Sequence, residues 1–311
     1  MFENKRILIC PLNWGIGHAT RMVAYARQLE KKGNTIIVAG DNDVLDVFEE
    51  ELPHIERIFL KDINVKFSTG NKTVRKLVLR SPLFLVSIFK QHFKLQRLLD
   101  KIDVDVLISD NRPSLWSKKV KSYYVSHQPN LKLSDGWHWA EPIVTAAHQW
   151  FIRHYEALLI PDMEGEKSFS GELSQVKDSR IKTHYIGWLS RFDNDNLDVT
   201  KEDYTLLILS GVEPSRSQLR DDIIKRYAEL DEQLIVAGDY KAKQVGKITI
   251  LPYVRTEALK PMILAAKHVI CRSGYSMLTD LKVLGLEAEL IPTPGQPEQE
   301  YLAKLHSKSL N

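Results

Sequence analysis

Short apolar runs alternate with amphipathic stretches along this chain, and that alternation constrains the fold more than any other feature. RILIC (6–10), TIIVAG (35–40), IERIF (55–59), VDVLIS (104–109) and YYVSH (123–127) read as strands. Between them, ATRMVAYARQLEKK, DVLDVFEEEL and a short PSLWSKK read as helices, with Gly33-Asn34 closing the first. Strands that are apolar throughout, each followed by a helix, imply a parallel sheet covered on both faces. The pattern then restarts. YTLLIL, QLIVAG, ITILPY, HVICR and AELIP form a second strand series, with helices around SQLRDDIIKRYAEL, TEALKPMILAAK, SMLTDLKVLG and EQEYLAKLH. The polar stretch IGWLSRFDNDNLDVT (186–200) reads as the linker. The expected architecture is α/β: two doubly wound, Rossmann-like domains, 1–190 and 191–311, facing a cleft. Ligands of such sheets bind beyond the carboxyl ends of the strands.

Composition narrows the class. The 311 residues are 43% hydrophobic and 27% charged, as in ordinary globular proteins, and the net charge of +3 gives no reason to expect a nucleic-acid partner. Cys10 and Cys271 lie inside apolar runs, so neither a disulfide nor a zinc site is expected. The start MFENKR lacks the form of a signal peptide and no run is long enough to span a bilayer, so a cytoplasmic location is expected.

Five stretches carry candidate chemistry. The first, PLNWGIGHATR, puts Gly15, Gly17 and His18 where a strand gives way to a helix; Thr20 stands where a dinucleotide fingerprint needs its third glycine. Its bland alternative is a tight turn with a capping histidine. The second is Asp110, directly after a buried strand. It would orient and support the His18 imidazole, or it would merely cap a helix beginning at Pro113. His127 is a weaker strand-end candidate. The third is CRSGYSMLTD: Arg272, Ser273, Gly274 and Ser276 surround a helix start suited to phosphate, with Asp280 one turn on, placed for ribose hydroxyls or for solvent. The fourth, IPTPGQPEQEYL, offers Gln299 and Glu300 to sugar hydroxyls. The fifth, LSGVEPSRSQ, offers Gly211 and Arg216 as a second phosphate contact. Asp41-Asn-Asp43 reads as a helix cap, and no convincing divalent-metal site appears.

The third and fourth stretches together resemble the C-terminal domain of MurG-like glycosyltransferases of the GT-B fold. The matching residues are Arg272, Ser273, Gly274, Asp280, Pro292 and Gln299, with Asp280 in place of the usual glutamate and Glu300 in place of a second glutamine. The Gly-His loop resembles that family's glycine-rich loop. His18 resembles in position the base of related inverting transferases, and Asp110 resembles the aspartate about a hundred residues later that supports it. The resemblance implies transfer of a hexose-type sugar from a nucleotide sugar, UDP-linked by family default, to an acceptor hydroxyl, inverting and without metal or other cofactor. It also implies a lipid-linked acceptor. From Lys66 to Lys101 there are nine Lys or Arg and one acid, interleaved with apolar residues; such a stripe suits an anionic membrane surface, with Arg75, Lys76 and Arg80 among its charges. The alternative is a core-facing helix with a solvated basic face. GIGHATR also matches the Gly-x-Gly-His-x-x-Arg stretch of PseG-type nucleotide-sugar hydrolases. A sugar-nucleotide epimerase and a non-catalytic nucleotide-sugar-binding protein are the remaining alternatives.

Overall fold

The computed structural model describes residues 1–62, 81–193, 195 and 197–307. The chain divides into two units, Met1–Leu189 and Ser190–Asn311. Each is built on its own twisted sheet.

The first unit runs β1 (Arg6–Cys10), α1 (Ile16–Glu30), β2 (Thr35–Gly40), α2 (Asn42–Glu51), β3 (Glu56–Phe59), α3 (Ser81–Leu99), β4 (Val106–Asp110), β5 (Lys121–Val125), α4 (Glu141–Ile152), β6 (Ala157–Ile160) and β7 (Thr183–Tyr185). Among the described residues its sheet has the order β3-β2-β1-β4-β5-β6-β7, parallel throughout. Residues Ile7 to Cys10 are wholly buried, as expected of a strand sandwiched between helical layers. The order reverses at β1, so the switch point where such sheets bind ligands lies past the ends of β1 and β4. There Cys10 pairs in register with Ser109, which brings the next residues of both strands to one edge.

The second unit runs β8 (Glu202–Ile208), α5 (Ser215–Leu230), β9 (Leu234–Ala237), β10 (Lys243–Val245), β11 (Ile248–Leu251), α6 (Thr256–Ala265), β12 (Ala266–Cys271), α7 (Tyr275–Leu284), β13 (Glu289–Leu290) and α8 (Pro297–Ser307). Its described strands order as β10-β11-β9-β8-β12-β13, parallel except for the β10–β11 hairpin. The switch point here lies past β8 and β12, and the loops leaving those strands carry Gly211 and Arg272-Ser273-Gly274.

Three expectations change. PSLWSKK is not helical: the β4–β5 connection is irregular, and Ser117 spends its amide on Ser122 Oγ rather than on a helical turn. Helix α1 begins at Ile16, earlier than the periodicity indicates, because Gly15 holds the φ of 97° that ends the preceding loop. Helix α4 and strands β6 and β7 complete the first sheet beyond the segments read as strands. Asp41 does cap α2, accepting from the Asn42 amide. Both cysteines are buried and free, and burial pushes each thiol up to about 12.

Candidate functional site

The early start of α1 moves His18 from a loop into the first helical turn. Arg21 follows three residues later, on the same helical face. Asp110 ends β4, the strand beside β1, so its carboxylate meets both. His18 Nδ1 lies 2.8 Å from Asp110 Oδ2, and Arg21 Nη2 donates to Asp110 Oδ1. Arg21 Nη1 is 2.9 Å from Nδ1 of His127, which stands just past β5. Asp110, Arg21 and His127 are buried, whereas the His18 side chain keeps 18% of its surface exposed.

The electrostatics follow from that geometry. Burial acts to raise the Asp110 carboxyl, but the Arg21 and His18 charges and hydrogen bonds outweigh it and hold it below its ordinary value. With Asp110 ionised, the tautomer that fits this contact has His18 Nδ1 donating to the carboxylate in a charge-assisted bond. The lone pair is then on Nε2, the nitrogen that can take a proton. Asp110 therefore supports an imidazole rather than capping a helix; no helix begins at Pro113.

Sequence reasoning found His18 and Asp110, and it included Arg21 in the Gly-x-Gly-His-x-x-Arg stretch without giving it a role of its own. Gly15 takes a backbone conformation open to glycine and precedes α1, while Gly17 lies within the first turn and its carbonyl accepts from Thr20 Oγ1.

In the second unit the loops past β8, β12 and β13 converge. Ser273 Oγ donates to the Gln299 carbonyl, 2.8 Å away. Gln299 Oε1 accepts from the Thr293 amide at 2.9 Å and Glu300 Oε1 from the Gly295 amide at 3.1 Å, so both side chains brace the turn 293–296. Gly274 precedes α7 without any side-chain cap on the helix, and Ser276 lies in its first turn. The Thr293 hydroxyl is buried without a hydrogen-bond partner. Gly211, near that oxygen, holds a φ of 98°, a conformation that favours glycine. Arg216 stacks 4.2 Å over Tyr240 and donates to the Gly238 carbonyl.

Two further residues expected to meet the donor are occupied internally. Arg272 is buried and donates to the carbonyls of Ile291, Pro292 and Ser215, tying three loops together. Burial lowers it, against the charge of Asp222. Asp280 lies in a helix buried on nearly every side, and its carboxylate accepts from Ser190 Oγ, the Arg191 amide and Arg191 Nε at 2.7, 3.1 and 3.0 Å. Burial raises this carboxyl, and the Arg191 and Ser190 contacts only partly offset it. Asp280, expected to face ribose hydroxyls or solvent, is instead buried against Ser190 and Arg191 at the segment entering the second unit.

No protein-family model matches the chain, and no curated protein matches it either. Solved structures do. Spinosyn rhamnosyltransferase SpnG complexed with thymidine diphosphate superposes with a TM-score of 0.62 at 13% identity, over 96% of this chain and 84% of that one. The fold is that of the GT-B glycosyltransferases. Arabidopsis thaliana UGT89C1 complexed with UDP-L-rhamnose matches at 0.60 and 14%, over 99% and 84%. Acinetobacter baumannii MurG matches at 0.53 and 14%, over 97% and 83%. Among the described residues, no group of three or more His, Cys, Asp or Glu side chains could hold a metal ion.

Proposed function

We propose that this chain is a nucleotide-sugar-dependent glycosyltransferase that inverts the transferred hexose-type sugar and uses His18 as its base. The observation that carries the reading is the His18–Asp110 pair at the switch point of the first sheet. A base there takes the proton of an acceptor hydroxyl at Nε2 as the oxygen attacks the anomeric carbon. The bond from that carbon to the diphosphate breaks on the opposite side, which inverts the centre. Within the second unit, the uncapped start of α7 and the Thr293 hydroxyl are donors suited to a diphosphate. No metal enters this scheme. The diphosphates named with the two similar transferases, thymidine and uridine, support a pyrimidine donor.

Thermal-shift measurements over UDP, dTDP, GDP and their sugars test the donor site. A ligand at a hundred times its Kd stabilises by about 2.7 kcal/mol, so a saturating pyrimidine diphosphate should raise the midpoint by several degrees; no shift with any of them would remove the site from the second unit. The match of GIGHATR to PseG-type hydrolases, with Arg21 now seen in the base cluster, keeps water in view as the acceptor. Release of nucleoside diphosphate at the same rate with and without acceptors would favour that hydrolase.

The acceptor side includes a membrane proposal. Among the described residues no helix is long and apolar enough to cross a bilayer. Helix α3 turns Ile88, Leu95 and Leu99 inward, and leaves Phe89 60% and Phe93 65% exposed beside exposed Lys90, Lys94 and Arg97. Apolar rings flanked by cations suit an anionic lipid surface, so a lipid-linked acceptor and a peripheral position on the inner face of the membrane fit this helix. Arg75, Lys76 and Arg80 lie outside the described residues. Each cation near such a surface contributes about 1 kcal/mol, so neutralising Lys90, Lys94 and Arg97 together should weaken co-sedimentation with phosphatidylserine vesicles on the order of 10²-fold. Wild-type protein that stays in the supernatant at low salt would point to a water-soluble acceptor.

A further inference from the structure

We propose that Arg21 is a positioning residue that sets which ring nitrogen carries the proton on two histidines at once, His18 and His127. The inference rests on the reading of His18 as the base and deepens it. A guanidinium can only donate, so His127 Nδ1, 2.9 Å from Arg21 Nη1, must accept, and the ring proton of His127 is on Nε2. The other arm, Nη2, holds Asp110 Oδ1 and so turns Oδ2 toward His18.

Arg21 Nη2 also stands 3.0 Å from His18 Nδ1, where a donor and a carboxylate compete for one nitrogen. If the arginine bonded there, the His18 proton would sit on Nε2 and that nitrogen could accept nothing. Asp110 Oδ2, nearer at 2.8 Å and ionised, is the stronger partner for His18 Nδ1, and Nη2 gives its hydrogen to Oδ1. His18 Nδ1 then keeps its own proton for Oδ2, and Nε2 is left free.

The fork is built for these two arms. Arg21 is buried, and its Nε has no hydrogen-bond partner. A buried unsatisfied donor is unfavourable, and here it accompanies an orientation in which both terminal nitrogens are engaged. A lysine ammonium would preserve the charge but is a single point, unable to satisfy Asp110 and His127 with the same planar geometry.

Histidine ring ¹⁵N spectra of the full chain test this, with His18 and His127 assigned through His18→Gln and His127→Gln. The wild type should show His127 protonated at Nε2 alone and His18 at Nδ1. Arg21→Met removes both arms; because losing one member of a buried ion pair can unfold a protein, Arg21→Lys is measured beside it. In the folded variant or variants, His127 should become a mixture of tautomers. With the sugar nucleotide that the wild type turns over, kcat should fall about tenfold or more at a KM within roughly twofold, the mark of a misdirected base rather than lost binding. An unchanged His127 tautomer in Arg21→Lys, or a loss confined to KM, overturns the proposal. The spectra need no turnover, so a wild type inactive toward every sugar nucleotide would sink the transferase reading while the tautomers still decide the role of Arg21.

Discussion

His18→Ala lowers turnover on the order of 10² or more, the usual contribution of a general base, while nucleotide affinity stays nearly constant. The split follows from placement. His18 belongs to the first unit and touches Asp110 and Arg21, whereas the donors assigned to the diphosphate lie on α7 and the 293–296 turn of the second. An interaction made only as the acceptor proton moves should lower kcat and kcat/KM together. Asp110→Ala should also reduce turnover, and the double variant should be no slower than roughly the worse single one, because the two side chains act as a unit. Steady-state kinetics on the three variants check this. Fully additive losses would show that Asp110 acts apart from His18.

Asp280→Ala should cost the second unit about 3–5 kcal/mol, the range for removing one partner of a buried ion pair. Arg191 would be left buried with its Nε donor and backbone amide released, and Ser190 Oγ would lose its acceptor. The midpoint of thermal unfolding for that unit should fall by roughly 10 °C or more. Differential scanning calorimetry reads it directly. A variant that melts with the wild type but binds nucleotide more weakly would restore Asp280 to the ribose.

Much of the architecture was legible because parallel strands buried on both faces leave unbroken apolar runs such as RILIC and TIIVAG. Short elements left less: β7 has three residues, too few to show a period, and α4 mixes Trp, Ala and Ile with so few charges that no polar face marks it as a helix. PSLWSKK had the length and opening proline of a short helix, yet serine hydroxyls and amides pair across the β4–β5 connection instead. At the site, spacing brought His18 and Asp110 together because the switch point of a doubly wound sheet does the same. Spacing says nothing about which way a charged side chain turns. Arg272 and Asp280 sit at positions that resemble a donor site, and only packing reveals that carbonyls and Arg191 already hold them. Arg21, quoted within the Gly-x-Gly-His-x-x-Arg stretch, gained no role of its own for the converse reason: a basic residue in a helix reads as solvent-facing until its buried carboxylate partner is known.

The central claim is most directly tested by following release of nucleoside diphosphate from UDP-, dTDP- and GDP-hexoses by chromatography, with wild type and His18→Ala side by side and lipid-linked or soluble alcohols as acceptors. The account predicts acceptor-dependent release from one of these donors by the wild type, and at least about a hundredfold less by His18→Ala. Equal release by both proteins, or none from any donor by the wild type, would contradict it.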